Sequence, residues 1–239
     1  MSWVEIALAS VIVAVGATLQ GSVGFGLGMV SAPLLILIDP RFVPAPLLCA
    51  SVVLTLPLAH RERRSIALAD LKWALSGRIL GVAIATGLLA VVSRERIALV
   101  FGILVLAAVA ISVSGIHLRP TPRTLVFAGT VSGFMGTSVS IGGPPMALVY
   151  QHQSGSRIRG TLSAYFTVGV ALSLTALHFV GRFGLEELRL AAIFLPGVAV
   201  GFWASQHTAS VLDRGYTRPA VLAVSAGAAI VVIVKQVLM

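Results

Sequence analysis

Two glycine-rich stretches decide the fold of this chain. The first, residues 20–28, reads Gln-Gly-Ser-Val-Gly-Phe-Gly-Leu-Gly and is followed by Pro33. The second, residues 132–145, reads Ser-Gly-Phe-Met-Gly-Thr-Ser-Val-Ser-Ile-Gly-Gly-Pro-Pro. Both lie inside long apolar segments, and glycine and proline at this density interrupt a helix. Each stretch therefore predicts a broken or re-entrant helix.

The composition around these stretches places the chain in a membrane. Of 239 residues, 57% are hydrophobic and 10% are charged, with a mean hydropathy of +1.00, whereas a soluble domain carries about a quarter charged residues. A helix needs roughly 20 apolar residues to cross the hydrocarbon core. Candidate spans are Trp3–Gln20, Pro44–Ala59, Leu71–Val92, Ile97–Ile116, Leu125–Gln151, Thr161–Val180, Leu188–Thr208 and Arg218–Val237. We therefore predict an all-α integral membrane protein of about eight hydrophobic segments, without an extramembrane domain.

An internal repeat relates the two stretches at one offset of 112 residues. The matched pairs are Thr18 with Thr130, Gly21 with Gly133, Gly24 with Gly136, Pro33 with Pro145, Ser51 with Ser163 and Thr55 with Thr167. Transporters are often built from such duplicated halves. The repeat predicts one membrane domain with two halves, residues 1–117 and 118–239, each starting with a broken or re-entrant helix.

The charges test whether each broken segment crosses the membrane or folds back. As a single helix, Trp3–Ile38 would be about 54 Å long, far more than a bilayer needs. With two hairpins, ten basic residues share one face: Arg61, Arg63, Arg64, Lys72, Arg119, Arg123, Arg157, Arg159, Arg214 and Arg218. Six remain on the other face: Arg41, Arg94, Arg96, Arg182, Arg189 and Lys235. Single crossings divide the charges almost evenly, so the positive-inside rule favours hairpins, inverted repeats and an outside amino terminus in the cell inner membrane.

With its paired Gly-Ser-Val-Gly-Phe-Gly-Leu-Gly…Pro and Gly-Phe-Met-Gly-Thr…Gly-Gly-Pro-Pro segments, the chain resembles the sulfite exporter TauE/SafE family of membrane transporters. The resemblance covers essentially the whole chain. It implies a transporter fold and an anionic, often sulfur-containing substrate such as sulfite or an organosulfonate.

The residues give an independent argument for an anion. All eight acidic residues fall at span ends or in loops: Glu5, Asp39, Glu62, Asp70, Glu95, Glu186, Glu187 and Asp213. Cation transport, or a carboxylate proton relay, would usually need one in the core. Half-helices that begin after a break instead point N–H groups and a positive dipole end into a cavity.

From this argument we predict a substrate site between the breaks. Its residues are Gln20, Gly21, Ser22, Gly24, Gly26, Gly28, Arg78, Gly136, Thr137, Ser138, Ser140, Gly142 and Gly143. The alternative is that the glycines only allow tight helix packing and the hydroxyls bond their own backbone. Arg78 is the one basic residue clearly inside a span; it either neutralises the anion or extends its guanidinium back to the interface.

Other chemistry has weaker support in the sequence. His152 and His178 lie where helices meet the headgroups, which favours interfacial roles over a proton relay. Cys49 has no cysteine partner in the chain. We expect no catalytic residues, metal or cofactor, since no Gly-x-Ser-x-Gly or His-Glu-x-x-His motif is present.

The expected function is a secondary transporter or exporter of a small anion. The expected partners are that anion and the lipid bilayer but not nucleic acid, and a homodimer is left open. A negative cytoplasm expels anions, which favours export without a coupling ion. The alternatives are a non-transporting membrane scaffold, in which the helix breaks would be packed without a cavity, and an intramembrane enzyme.

Overall fold

The computed structural model describes residues 2–91, 94–114, 116 and 118–212 as a bundle of α-helices. These helices are α1 (Trp3–Val23), α2 (Leu27–Ile38), α3 (Ala45–Arg61), α4 (Leu68–Val91), α5 (Arg94–Val113), α6 (Pro122–Val139), α7 (Gly143–Tyr150), α8 (Gly155–Phe179), α9 (Leu185–Ala192) and α10 (Leu195–Leu212). Single 3-10 turns occupy Pro40–Phe42 and Arg63–Ser65. No strand occurs among the described residues, so the prediction of an all-helical chain is confirmed.

Three of these helices, α1, α4 and α8, are long and apolar enough to cross a membrane, and the pair α9 and α10 could form a fourth span. Large apolar side chains on their outer surfaces are exposed, among them Leu80, Ile84 and Trp203. In a bilayer such side chains face lipid. The composition of the described helices thus fits a multi-pass membrane protein.

Glycines set the closest helix contacts of the bundle. Gly77 and Gly81 of α4 lie against the Val126 and Thr130 carbonyls of α6, with no room for a Cβ atom. Gly197 of α10 lies against the carbonyl of Ser10 in α1 in the same way. Such contacts are typical of helices packed in membranes. They position α4 beside α6 and α10 beside α1.

The bundle has two ends, which we call the Glu62 end and the Asp39 end after one acidic residue at each. At the Glu62 end, α3 finishes and α8 begins, and the Ala67 N–H donates to the Thr161 hydroxyl at 3.0 Å. At the Asp39 end, α2 finishes and α9 begins, and Arg41 lies 3.6 Å from the Glu186 carboxylate. The helices α3 and α8 therefore run antiparallel between the two ends.

The helices α1 and α2 form a hairpin. The Ser31 hydroxyl of α2 donates to the Ile12 carbonyl of α1 at 3.3 Å, and Gly16 lies beside Leu27, so the two helices are antiparallel. The start of α1 is fixed near α9 by a 2.7 Å hydrogen bond from the Ser10 hydroxyl to the Ile193 carbonyl. This hairpin consequently starts and finishes at the Asp39 end.

The helices α6 and α7 form a second hairpin with the opposite direction. Helix α6 runs parallel to α4, which starts at the Glu62 end. At the end of α7, the Tyr150 hydroxyl donates to Asp70 at 3.2 Å and the Gln151 amide donates to the Ile116 carbonyl at 3.0 Å. This hairpin therefore starts and finishes at the Glu62 end.

The centre of the bundle is the contact between α3 and α8. There the Thr167 hydroxyl donates to the Thr55 hydroxyl at 3.0 Å. These threonines are 112 residues apart, so two positions matched by the sequence repeat touch each other. Such a contact is expected where a pseudo-twofold axis passes between two similar halves.

Two details differ from the sequence prediction. The predicted span Leu188–Thr208 is not one continuous helix, because α9 and α10 bend by 51° at Ile193 and Phe194. The offset between the two breaks also differs from the 112-residue offset of the sequence repeat. Helix α1 ends before Gly24 and α6 ends before Ser140, which are 116 residues apart. Four residues are about one helical turn, so α6 is one turn longer relative to its repeat partner. The predicted span Arg218–Val237 lies outside the described residues.

Candidate functional site between the two helix breaks

Each hairpin turns at residues with unusual backbone conformations. Gly24 caps α1 with φ of 99°, and Gly26 precedes α2 with φ of 135°. Both angles are accessible to glycine and disfavoured for other residues. In the second hairpin Ser140 caps α6 with φ of 62°, and Gly142 precedes α7. The prediction of two breaks in these stretches agrees with the helix bounds.

The two breaks lie against each other in the interior. The backbone of Gly28 meets the Ser140 carbonyl with no space for a Cβ atom. A Cβ atom on Gly143 would lie 3.0 Å from the Cβ of Phe25. Two chain segments more than a hundred residues apart in sequence thus form one contact.

A cavity of about 30 Å³ lies between the breaks. Its wall consists of Gln20, Phe25, Gly26, Leu27, Gly28, Met29, Leu47, Leu48, Ser51, Arg78, Gly136, Ser140, Ile141, Gly142, Gly143, Phe166 and Val170. None of these is acidic. A single water needs about 10–15 Å³ by the same measure, so the cavity has room for about two waters.

Arg78 supplies the charge of this wall, and its side chain is only 1% exposed. Its guanidinium donates to the Ser132 hydroxyl at 3.3 Å and to the Ser173 hydroxyl at 3.2 Å, and it lies 5.4 Å from the centre of the Tyr165 ring. The Nε atom is buried without a hydrogen-bond partner. Within the described part of the chain no carboxylate pairs with Arg78. The guanidinium points into the interior, so the interfacial alternative does not describe its position.

Gln20 supplies a neutral amide to the same wall. Its side-chain oxygen accepts the Leu27 N–H at 3.1 Å, which satisfies one free donor in the first turn of α2. The amide nitrogen of Gln20 is buried without a hydrogen-bond partner. An unpaired buried donor is costly, so such a group indicates a ligand or water at the site.

The two half-helices supply different numbers of backbone donors. Both α2 and α7 begin at the cavity and direct the positive end of the helix dipole toward it. In α2 the first turn is Leu27, Gly28 and Met29, each with an N–H group. In α7 it contains Pro144 and Pro145, which have none. The break before α7 therefore offers fewer N–H groups than the break before α2, because proline removes them from α7.

The predicted site residues divide into two groups. Those on the cavity wall are Gln20, Gly26, Gly28, Arg78, Gly136, Ser140, Gly142 and Gly143. Those away from the wall are Gly21, Ser22, Gly24, Thr137 and Ser138. The Ser140 hydroxyl is already used, since it donates to the Pro44 carbonyl at 2.9 Å.

The second group has structural contacts. Gly21 packs against Ser205, and the Ser22 hydroxyl donates to the Thr18 carbonyl of its own helix at 2.7 Å. Gly24 lies beside Arg159. The packing alternative thus describes Gly21 and Ser22.

The remaining two hydroxyls lie at the end of α6. Thr137 shares a 2.8 Å hydrogen bond with Ser173, which also contacts Arg78. Ser138 is buried without a hydrogen-bond partner.

Sequence reasoning missed the groups that hold Arg78 in place. Ser132 both accepts from Arg78 and donates to the Gly142 carbonyl at 2.6 Å. It follows Gln20 by 112 residues, so the repeat itself could have identified it. Tyr165 and Ser173 carry no such signal, because α8 approaches Arg78 only in the folded bundle.

An ion cluster lies between the first break and the Glu62 end. Arg159 donates to Glu62 at 3.1 Å and to the Ser22 carbonyl at 3.2 Å, and Arg61 donates to the Gly21 carbonyl at 2.9 Å. Cations at the carboxyl end of a helix satisfy its free carbonyl groups. The cluster therefore fixes the end of α1 against α3 and α8.

Other candidate groups do not join the site. His178 shares a 3.0 Å hydrogen bond with the Phe183 carbonyl near the Asp39 end. His152 is also absent from the cavity wall. Over the described ranges no group of His, Cys, Asp and Glu could hold a metal ion.

Comparison with known proteins gives one match. The model of the family described as "Sulfite exporter TauE/SafE" matches residues 8–232. No curated protein and no solved structure matches the chain. The family match includes both glycine-rich stretches and Arg78.

Proposed function

The chain belongs to the sulfite exporter TauE/SafE family, whose members are membrane transporters rather than enzymes, and we propose that it exports a small anion, sulfite or an organosulfonate. The substrate would bind in the cavity between the two helix breaks. Gln20, Arg78 and the first turn of α2 would contact it.

One observation carries this proposal: Arg78 is buried on the cavity wall without a carboxylate partner in the described residues. Removing an arginine from water costs several kcal/mol unless a counter-charge is present. A bound anion provides that counter-charge. A cation would be repelled by Arg78 and would find no acidic side chain on the wall.

The size of the cavity bears on the choice of anion. A volume of about 30 Å³ is that of about two waters, so the cavity must widen for any oxyanion, and a compact one such as sulfite needs the least widening. An organosulfonate with a carbon chain requires additional space, which separation of Phe25 from Gly143 could supply. Sulfite is therefore the first candidate and an organosulfonate the second.

The proposed architecture is a pair of inverted repeats, residues 1–117 and 118–239. The opposite directions of the two hairpins and the Thr55–Thr167 contact support it. With the basic Glu62 end in the cytoplasm, the amino terminus would lie outside, and both hairpins would be re-entrant. Movement of one hairpin against the other would open the cavity to alternate sides of the cell inner membrane.

The membrane potential supports the direction of transport. Each negative charge that moves outward gains about 2.3 kcal/mol per 100 mV. Export of an anion therefore needs no coupling ion, whereas uptake would need one.

Counterflow in proteoliposomes tests the proposal. Purified wild-type protein should exchange labelled sulfite for internal sulfite with saturation, and Arg78→Met should lower kcat/KM for the exchange about a hundredfold. Arg41→Met is the matched control, since Arg41 is an exposed arginine at the Asp39 end and away from the cavity. If folded wild-type protein moves neither sulfite nor any organosulfonate, the substrate proposal is wrong and a non-transporting scaffold becomes the better explanation.

A further inference from the structure

We propose that the substrate has a second position in the bundle, on the Glu62 side of the bundle centre, where Ser163 and Arg159 bind it. This position is closed in the present structure and opens when the first hairpin moves. The inference rests on the proposed function and its inverted repeats, since it assigns further contacts to the same small oxyanion.

The cavity between the breaks is displaced from the bundle centre toward the Asp39 end. Its residues on α3 all precede Thr55, which lies at the centre; they are Leu47, Leu48 and Ser51. Helix α3 runs from the Asp39 end to the Glu62 end, so these residues lie on the Asp39 side. A pseudo-twofold axis through the centre therefore relates the cavity to a region on the Glu62 side.

The residues matched to this part of the wall lie together on α8. At the 112-residue offset of the repeat, the positions equivalent to Leu47, Leu48 and Ser51 are Arg159, Gly160 and Ser163. They lie near the start of α8 at the Glu62 end. Residues four apart face the same side of a helix, so Arg159 and Ser163 can contact one ligand.

Ser163 carries the independent evidence for a ligand. Its side chain is fully buried, and its hydroxyl has no hydrogen-bond partner. On the same helix, the Thr167 and Ser173 hydroxyls each donate to the carbonyl four residues earlier, at 2.8 and 3.0 Å. An unpaired buried hydroxyl is destabilising and requires an explanation. Binding of an anion in another state of the transporter supplies one.

The carboxyl end of α1 closes this region. Arg159 donates to the Ser22 carbonyl at 3.2 Å, and a Cβ atom on Gly24 would lie 3.2 Å from the Cα of Arg159. Ser22 and Gly24 belong to the first hairpin, so movement of that hairpin uncovers the start of α8. An anion then replaces the Ser22 carbonyl as the acceptor of the Arg159 N–H group.

Glu62 holds Arg159 in place for this exchange. The Nε of Arg159 donates to Glu62 at 3.1 Å, whereas Nη1 donates to the Ser22 carbonyl. Loss of the carbonyl therefore leaves the ion pair intact and the guanidinium oriented. Arg61 also lies 3.4 Å from Glu62, so two arginines balance the carboxylate and reduce its repulsion of an anion.

Cysteine accessibility from the two membrane faces tests the second position. In a Cys49→Ser background, Ser163→Cys should form a disulfide with a small anionic methanethiosulfonate added to one face only, in intact cells or inverted vesicles. The reactive face should be that of Arg64→Cys, an exposed position of the Glu62 end, and not that of Arg41→Cys. Intact mass measures the reaction, and sulfite is left out because it reacts with the reagent.

Leu162→Cys is the matched control, because Leu162 is the preceding residue of α8, is equally buried and packs in an apolar cluster. Ser163→Cys should react at about 0.1–10% of the rate of Arg64→Cys, the usual population of a minor state, and Leu162→Cys should react more slowly still. A Ser163→Cys that does not react, that reacts as slowly as Leu162→Cys, or that reacts from the Arg41 face would overturn the inference.

Sulfite counterflow gives a second measurement. Ser163→Ala should lower kcat/KM about threefold to tenfold, as expected for one lost hydrogen bond. Its thermal midpoint in detergent should not fall, because the hydroxyl has no partner in the closed state. Thr175→Ala, which removes an exposed hydroxyl of the same helix, should match wild type.

The two proposals fail in different ways. An unchanged kcat/KM in Ser163→Ala, with wild-type transport intact, would overturn the second position alone. Wild-type protein that carries neither sulfite nor an organosulfonate would instead overturn the proposed function.

Discussion

The two helix breaks share a backbone design but differ in the chemistry that they bring to the cavity. The first break offers Gln20 and the N–H groups of α2. The second replaces backbone donors with Pro144 and Pro145, and Arg78 lies beside it, held by Ser132. At the first break the positive potential comes from the start of α2 and from neutral donors. At the second break it comes mainly from the Arg78 guanidinium.

The helix contacts on either side of the cavity emphasise this difference. Gly77 and Gly81 of α4 contact α6 as Gly197 and Gly201 of α10 contact α1. If Gly77 corresponds to Gly197, the position equivalent to Arg78 is Val198, a buried apolar residue. Two similar helix contacts therefore surround an asymmetric cavity, and in the proposed function the single arginine would balance one negative charge of the substrate.

Removing the guanidinium of Arg78 should have the largest effect on transport. Arg78→Met should lower kcat/KM for sulfite by about a hundredfold, because charge-assisted hydrogen bonds contribute about 1.5–3 kcal/mol each. The thermal midpoint in detergent should not fall, since replacing an uncompensated buried charge with an apolar side chain is often neutral or stabilising. Counterflow and thermal unfolding measure the two quantities, and unfolding of the variant would show that Arg78 is structural.

Adding a methyl group at each break should separate rigid from adaptable contacts. Gly28→Ala meets the Ser140 carbonyl and should cost about 1–3 kcal/mol and most of the transport. Gly143→Ala meets the Phe25 side chain, which can move, and should cost less. Gly87→Ala is the control, because nothing lies within 4 Å of its Cβ position. Equal effects at Gly28 and Gly143, measured by thermal unfolding and counterflow, would contradict the assigned contacts.

Removing a hydrogen-bond partner of the Arg78 guanidinium should have a moderate effect on the KM for sulfite. Ser132→Ala removes an acceptor for the guanidinium and a donor to Gly142, so the KM for sulfite should rise about threefold to tenfold, as expected for about 1 kcal/mol. Ser138→Ala should leave the KM unchanged, because Ser138 is buried away from the cavity wall. An increase of similar size in both variants would indicate a general packing defect.

The contact at the centre of the repeat should give the smallest effect. Thr167→Val and Thr55→Val remove one hydrogen bond between α3 and α8, which contributes about 1 kcal/mol. A double-mutant cycle on thermal or denaturant unfolding isolates the pair. A coupling energy near zero would show that the two threonines do not interact across the proposed axis.

Composition and local pattern already determined the membrane class and both helix breaks, and they favoured an anion as the substrate that we propose. Apolar runs leave a bilayer as the only suitable solvent, and glycine with proline interrupts a helix in any context. The bend at Ile193 and Phe194 was missed, although Pro196 in the first turn of α10 is a signal for the start of a new helix.

Only the tertiary structure decided which of the candidate residues line one cavity. Gln20, Gly28, Ser140 and Arg78 lie on four helices or breaks, and their convergence depends on helix packing that local sequence does not encode. It also separated Ser22 and Gly21, which share the glycine-rich stretch, from the cavity wall. Successive residues of a helix point about 100° apart, so neighbours in a motif need not face the same ligand. The sequence thus determined where the helices break, and the packing of α4 and α8 determined what lies opposite each break.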